Sequence, residues 1–306
     1  MSEIQTNKRQ KQKEIPKTII PEEDDGMSFL DHLEALRWHL IRAFSSVIIL
    51  AIIAFLFSRQ LFDKVLLAPK TADFFTNKIF CEFGNYIGAE SLCINTKPFQ
   101  IISIKMAGQF SSDIMVSVIA GFIIAFPYVF WEIWAFIKPA FYENEKKNAR
   151  GAVITSSLLF MIGVLFGYYI ITPLSVHFLG SYNVSNQVIN QIGLDSYIST
   201  IASITLASGV IFELPIVIYF LSKVGLVTPA FLKKYRRHAI VLIVIVAAVI
   251  TPPDVFSQIL VSLPLILLYE VGIKISARME RKYLAAFENT DEEAPIIRKS
   301  EMKTKY

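Results

Sequence analysis

The chain alternates between apolar runs and polar stretches. Runs at 36–57, 108–130, 151–172 and 197–221 each approach the roughly 20 apolar residues that cross a bilayer as a helix. Two shorter runs, 239–251 and 255–271, follow, joined by the tight turn Thr251-Pro252-Pro253-Asp254. The pattern predicts an all-α polytopic membrane protein with six transmembrane helices. Residues 1–27 are polar and charged, with no apolar core of a cleavable signal peptide, and read as a disordered tail. The six-helix domain is placed at 28–275 and a C-terminal tail at 276–306, disordered from about Asn289. Between the first two spans lies a long segment, 58–107, with amphipathic pieces at 60–67 and 99–106.

Prolines punctuate this plan. Pro127 and Pro139 are expected to break any helix running through 126–150, since each lacks an N–H and fixes φ. Pro173 is expected to end the third span, and Pro264 either kinks the sixth or is an ordinary proline of a membrane helix. The fifth span has only about 13 clean apolar residues, roughly 20 Å of helix against a hydrocarbon core of about 30 Å. The bilayer must thin there, or a partner must cover the gap.

Composition agrees: the 306 residues are 54% hydrophobic, and mean hydropathy is +0.49. The net charge of +4 is no sign of nucleic-acid binding, because in a membrane protein the location of Lys and Arg matters more than their sum. Seven basic residues precede or lie at Arg42, four lie in 138–150, five in 223–237 and eight from Lys274 on. With six spans all of these fall on one side. The other six occupy 58–107, and the polar loop 174–195 has none. The bias predicts both termini in the cytoplasm of a bacterial inner-membrane protein. Cys81 and Cys93 then share one loop on the oxidising side, as a disulfide or as two free thiols.

Few residues carry candidate chemistry. Glu213, in SGVIFELPIVIYF, is the only ionisable group inside the fourth span. About nine residues from the inner end, it lies roughly 14 Å deep and must be protonated, paired or wetted. It is either functional or a structural carboxylate bonded to another helix. The stretch 126–150, FPYVFWEIWAFIKPAFYENEKKNAR, is dense in aromatics, and Trp131 and Trp134 fall where an interfacial belt would sit. Glu143 and Glu145 follow, either a solvated pair matched to Lys146 and Lys147 or a site for a cationic partner. Near the N-terminus, FLDHLEALRWHLIR reads as an amphipathic helix with Ser28 as its N-cap. The four histidines show no metal-ligand spacing, and no phosphate-binding loop or nucleophile–base pair is visible. No enzyme and no cofactor is expected.

Four motifs carry a resemblance: HLEALR at 32–37, FPYVFWEIWAFIKPAFYENEK at 126–146, FELP at 212–215 and TPPDVFSQ at 251–258. Together, over about 28–275, the chain resembles TatC, the multi-span subunit of the twin-arginine protein translocase. The resemblance implies a cup-like arrangement of six tilted helices. It also implies a receptor for signal peptides with consecutive arginines, and work with TatA- and TatB-type single-span partners. Folded cargo would move on the proton motive force, with a homo-oligomer forming the receptor complex. Glu145, with Glu143, Phe136 and Tyr142, would receive the arginine pair, through bidentate carboxylate bonds and stacking. Glu213, Asp254 and Gln258 match positions that contact partner helices. The family usually carries Glu where this chain has Ala35, with Glu34 one place earlier, about 100° around a helix. Either Glu34 serves the signal peptide or Glu145 and Glu143 serve it alone. The competing readings are a proton-coupled secondary transporter using Glu213 and a structural scaffold. Against the transporter, no internal repeat is visible.

Overall fold

A computed structural model describes residues 29–89, 93–96, 99–137, 149–185, 187, 190–251 and 255–303. Chain contacts divide it into Met1–Trp38 and His39–Tyr306. The helices, in order, are α1 (Phe29–Leu56), α2 (Phe75–Ile87), α3 (Gly108–Ile137), α4 (Ala149–Phe166) and α5 (Thr172–Ser181). Then come α6 (Leu194–Phe212), α7 (Leu214–Lys223), α8 (Pro229–Lys234), α9 (Arg236–Ile250) and α10 (Val255–Lys303). Among the described residues, five stretches are long and apolar enough to cross a membrane: Leu33–Leu56, Gly108–Ile137, Gly151–Ser181, Leu194–Lys223 and Ser257–Lys282. The count of six rests on α9, whose 15 residues rise about 22 Å.

Prolines break less than the sequence suggests. α3 runs unbroken through Pro127, contrary to expectation. The lost N–H costs one bond, and membrane helices tolerate this where neighbouring helices, hydroxyl side chains or local backbone adjustment re-satisfy the freed carbonyl. The third span does not stop at Pro173. A π-helical turn, Gly167–Ile171, precedes α5 and shifts the hydrogen-bond register, so Pro173 enters near its first turn, where no N–H is needed. α10 runs from Val255 to Lys303 with Pro264 inside it. Its C-terminal end is rich in Glu, Ala, Lys and Arg, all good helix formers.

Close packing is concentrated where side chains are small. A Cβ on Gly163 of α4 would lie 2.6 Å from the Ser208 carbonyl oxygen and 2.9 Å from Gly209 Cα on α6. Only glycine permits that approach, the close-contact device of membrane helix pairs. Phe126 of α3 stacks on the fully buried Phe160 of α4, centroids 3.6 Å apart. A second core joins α7, α9 and α10 through Ile218, Ala247, Leu265, Tyr269 and Ile273. Apolar side chains elsewhere face outward: on α1, Phe44, Ile48, Ile49 and Ile52 are all exposed, a face suited to acyl chains rather than water.

The 58–107 segment is more ordered than a loop. A short helical turn and a π-helical turn (Leu61–Leu66) lead into a 3₁₀ turn and then α2. Ile101–Ile102 pairs in parallel with Ile192–Gly193, the β1–β2 ladder. Asn95, in the left-handed region at φ 54°, is buried. Its amide donates to the carbonyls of Pro69 and Pro173 at 3.2 and 3.1 Å. Cys81 and Cys93 are joined as a disulfide, Cα atoms 4.1 Å apart. Such a short loop contributes about 3 kcal/mol. The Cys81→Ser/Cys93→Ser chain should therefore melt roughly 6–12 °C lower in detergent. An unchanged Tm would mean the bond carries no stability.

Candidate functional site

Two carboxylates stand out in apolar spans, Glu213 half-buried and Glu132 buried. Glu213 sits at the break between α6 and α7, capping both. Pro215, without an N–H, ends the ladder here. The Glu213 carbonyl instead accepts from the amides of Ile216 (2.9 Å) and Val217 (3.0 Å). Ser156 of α4, fully buried, donates to Glu213 Oε2 at 2.6 Å. The other oxygen, Oε1, is enclosed and has no partner among the described residues. About ten residues separate Glu213 from the end of α7, placing it roughly 15 Å inside the span. The arrangement has one satisfied oxygen and one open acceptor, able to take a hydrogen bond from another polar group at membrane depth.

The second carboxylate, Glu132, was passed over at the sequence level. It is 6% exposed, near the end of α3. His39 Nδ1 of α1 lies 2.6 Å from its Oε2, and Arg42 Nη1 lies 4.0 Å away. Tyr128, one turn earlier on α3, also reaches this carboxylate. Phe136, one turn later, meets the His39 ring edge-on at 6.3 Å. Residues 128, 132 and 136 share one helix face by their four-residue spacing, and His39 and Arg42 share one face of α1. The signal was available, because a lone Glu between two tryptophans in an apolar run is as costly as Glu213. Substituting Glu132→Gln and His39→Gln singly and together should give a coupling of about 1–3 kcal/mol in thermal unfolding. Strictly additive losses would show that the contact carries no stability.

The remaining sequence-level candidates fall as follows. Trp134 does not face outward: it is buried and packs on Phe220 of α7, centroids 4.7 Å apart, because its face of α3 meets that helix. Trp131, three residues earlier, stays exposed. Glu34 is exposed on α1, and Ala35 is half-buried. Gln258 Nε2 donates to the Val244 carbonyl at 3.4 Å, tying α10 to α9. Glu143, Glu145, Tyr142, Pro139, Asp254 and Ser28 lie outside the described residues. No group of three or more His, Cys, Asp or Glu able to hold a metal occurs among the described residues.

A family model described as Sec-independent protein translocase protein (TatC) matches residues 31–264. The chain is 39% identical over 262 residues to a Sec-independent protein translocase protein TatC of Blattabacterium sp. subsp. Periplaneta americana, covering 85% of this chain and 98% of that one. It is 36% identical over 245 residues to the protein of that name from Helicobacter pylori strain 26695, covering 80% and 85%. A crystal structure titled Twin Arginine Translocase Receptor-TatC superposes with TM-score 0.58 at 32% identity, over 81% of this chain and 99% of that one. The same receptor in DDM gives TM-score 0.62.

Proposed function

Since the chain belongs to the TatC family of Sec-independent protein translocase components, a multi-pass membrane protein and not an enzyme, we propose that it is the signal-peptide receptor of a twin-arginine translocase. It binds signal peptides with paired arginines. With TatA- and TatB-type single-span subunits, it passes folded proteins across the bacterial inner membrane on the proton motive force. Both termini face the cytoplasm, the side to which 24 of the 30 basic residues are assigned.

The observation that carries this reading is the 126–146 motif, whose acidic pair Glu143 and Glu145 follows within ten residues of Phe136 in the last turn of α3. Guanidinium forks bind carboxylates bidentately, and aromatic rings beside them hold the planar cation by stacking. Tyr142, immediately before Glu143, adds one ring and Phe136 another. Glu34, exposed on α1, is the N-terminal carboxylate available to the same peptide. The open acceptor on Glu213 supports its role toward a partner helix, and Gln258 in α10 and Asp254, the residue before that helix in sequence, are further candidates for partner contact. Several copies assemble in the receptor complex.

Inverted inner-membrane vesicles containing this chain and its single-span partners test the proposal. A folded reporter with an Arg-Arg signal should become protease-protected, the Lys-Lys version should not, and an uncoupler should stop transport while ATP depletion should not. Equal protection of both signals, or dependence on ATP, contradicts it.

A further inference from the structure

α1 and α3 approach backbone to backbone where a Cβ on Gly121 would lie 2.5 Å from the Ala51 amide nitrogen. Beyond that crossing, toward the 58–107 segment, the two helices leave an apolar groove of about 280 Å³. Its walls include Ile48, Ile52 and Phe55 of α1 and Ile114 and Val118 of α3. Further along the same seam lies a second cleft, also about 280 Å³, with a different character. It is lined by Arg59 and Asp63 on one side and by Gln109 and Asp113 on the other. The groove spans two turns of α1, roughly 10 Å, and the polar cleft follows within one further turn.

The charges in the cleft do not neutralise one another. Arg59, Asp63 and Asp113 make no ion pair with each other or with any other group among the described residues. Asp113 Oδ1 is shut away from solvent without a hydrogen-bond partner. A guanidinium and two carboxylates facing one space, unpaired, suit a ligand that carries both charges. An anionic group alone would meet two like charges, and a cation alone would leave Arg59 unused. A quaternary ammonium has no N–H to give to the carboxylates.

We propose that the α1–α3 seam binds one phospholipid with a primary-ammonium headgroup, of the phosphatidylethanolamine class. The phosphate lies against Arg59, the ammonium donates to Asp63 and Asp113, and an acyl chain fills the groove down to the Ala51–Gly121 crossing. α1 makes little other contact with the protein along this stretch, so the lipid completes its packing against α3.

Native mass spectrometry of the full chain in detergent tests this with synthetic phosphatidylethanolamine, phosphatidylcholine and phosphatidylglycerol of the same acyl composition. The ethanolamine lipid should be retained about fivefold more than either of the others, the ratio given by one extra exposed ammonium–carboxylate pair. Asp63→Asn/Asp113→Asn should erase that preference. Val118→Trp, which fills the groove from an exposed position and leaves the headgroup residues intact, should lower retention of all three. Thermal unfolding in lipid-free detergent confirms that each variant is folded. Equal retention of the three lipids, stronger retention of phosphatidylglycerol, or a preference that survives loss of both carboxylates would overturn the proposal.

Discussion

Gly163→Leu is expected to abolish recovery of folded protein. The first side-chain atom alone would stand 2.6 Å from one backbone oxygen and 2.9 Å from a Cα across the α4–α6 contact. Neither is the tip of a flexible side chain, so the helices themselves must separate. Phe212 and Gly209 pack against the same point. Overpacking costs about 1–3 kcal/mol even where the surroundings can yield, and the total stability of a folded domain is about 5–15 kcal/mol. A four-carbon insertion at a backbone–backbone crossing exceeds that tolerance. Gly151→Leu is the control, since a Cβ there meets nothing within 4 Å. Size-exclusion profiles of fluorescent fusions should show the Gly151 variant as a normal peak and the Gly163 variant as aggregate. A normal Gly163→Leu peak would mean that α4 and α6 do not meet at this crossing.

Glu213→Ala is expected to reduce transport of a folded twin-arginine cargo about tenfold or more, with signal-peptide binding unchanged. The carboxylate has one oxygen bonded to Ser156 and one open. An interhelical hydrogen bond within a membrane contributes about 1–2 kcal/mol, a factor of roughly 5–30. Removing the side chain also strands the buried Ser156 hydroxyl. Glu213→Gln keeps an oxygen for Ser156 and polar atoms for a partner helix, so it should retain several-fold more transport than the alanine variant. Comparing the three chains in the vesicle assay, with crosslinking to the signal peptide as the second readout, separates the roles. Full transport by Glu213→Ala would reduce Glu213 to a structural carboxylate.

The helices were legible because apolar length is a strong signal and the bilayer fixes the length required. Glu213 was legible for the same reason, as the one charge in its run. The prolines misled because their cost was judged for an isolated helix, whereas a packed membrane helix can re-satisfy the freed groups through its neighbours and local backbone adjustment. Pro127 sits inside α3, and Pro173 is absorbed by the π turn before α5. Glu132 was missed, and the packing of Trp134 was not foreseen, because both depend on which face of α3 meets which neighbour. α3 is apolar on nearly all sides, so periodicity does not mark its buried face. The β1–β2 ladder joins segments about 90 residues apart through two residues each, too short to leave a pattern. The α1–α3 cleft likewise unites Arg59 with Asp113 across the 58–107 segment.

The central claim is recognition of the arginine pair by the 138–148 segment. It is tested most directly by placing a photoreactive residue at Tyr142 and offering signal peptides with Arg-Arg or Lys-Lys, with Glu145 intact or changed to Ala. Crosslinking should be strong only for Arg-Arg with Glu145 present, and about tenfold or more weaker otherwise, the scale of a lost charge-assisted bond. Equal crosslinking in all four combinations would contradict the receptor assignment and leave the segment as a surface without recognition.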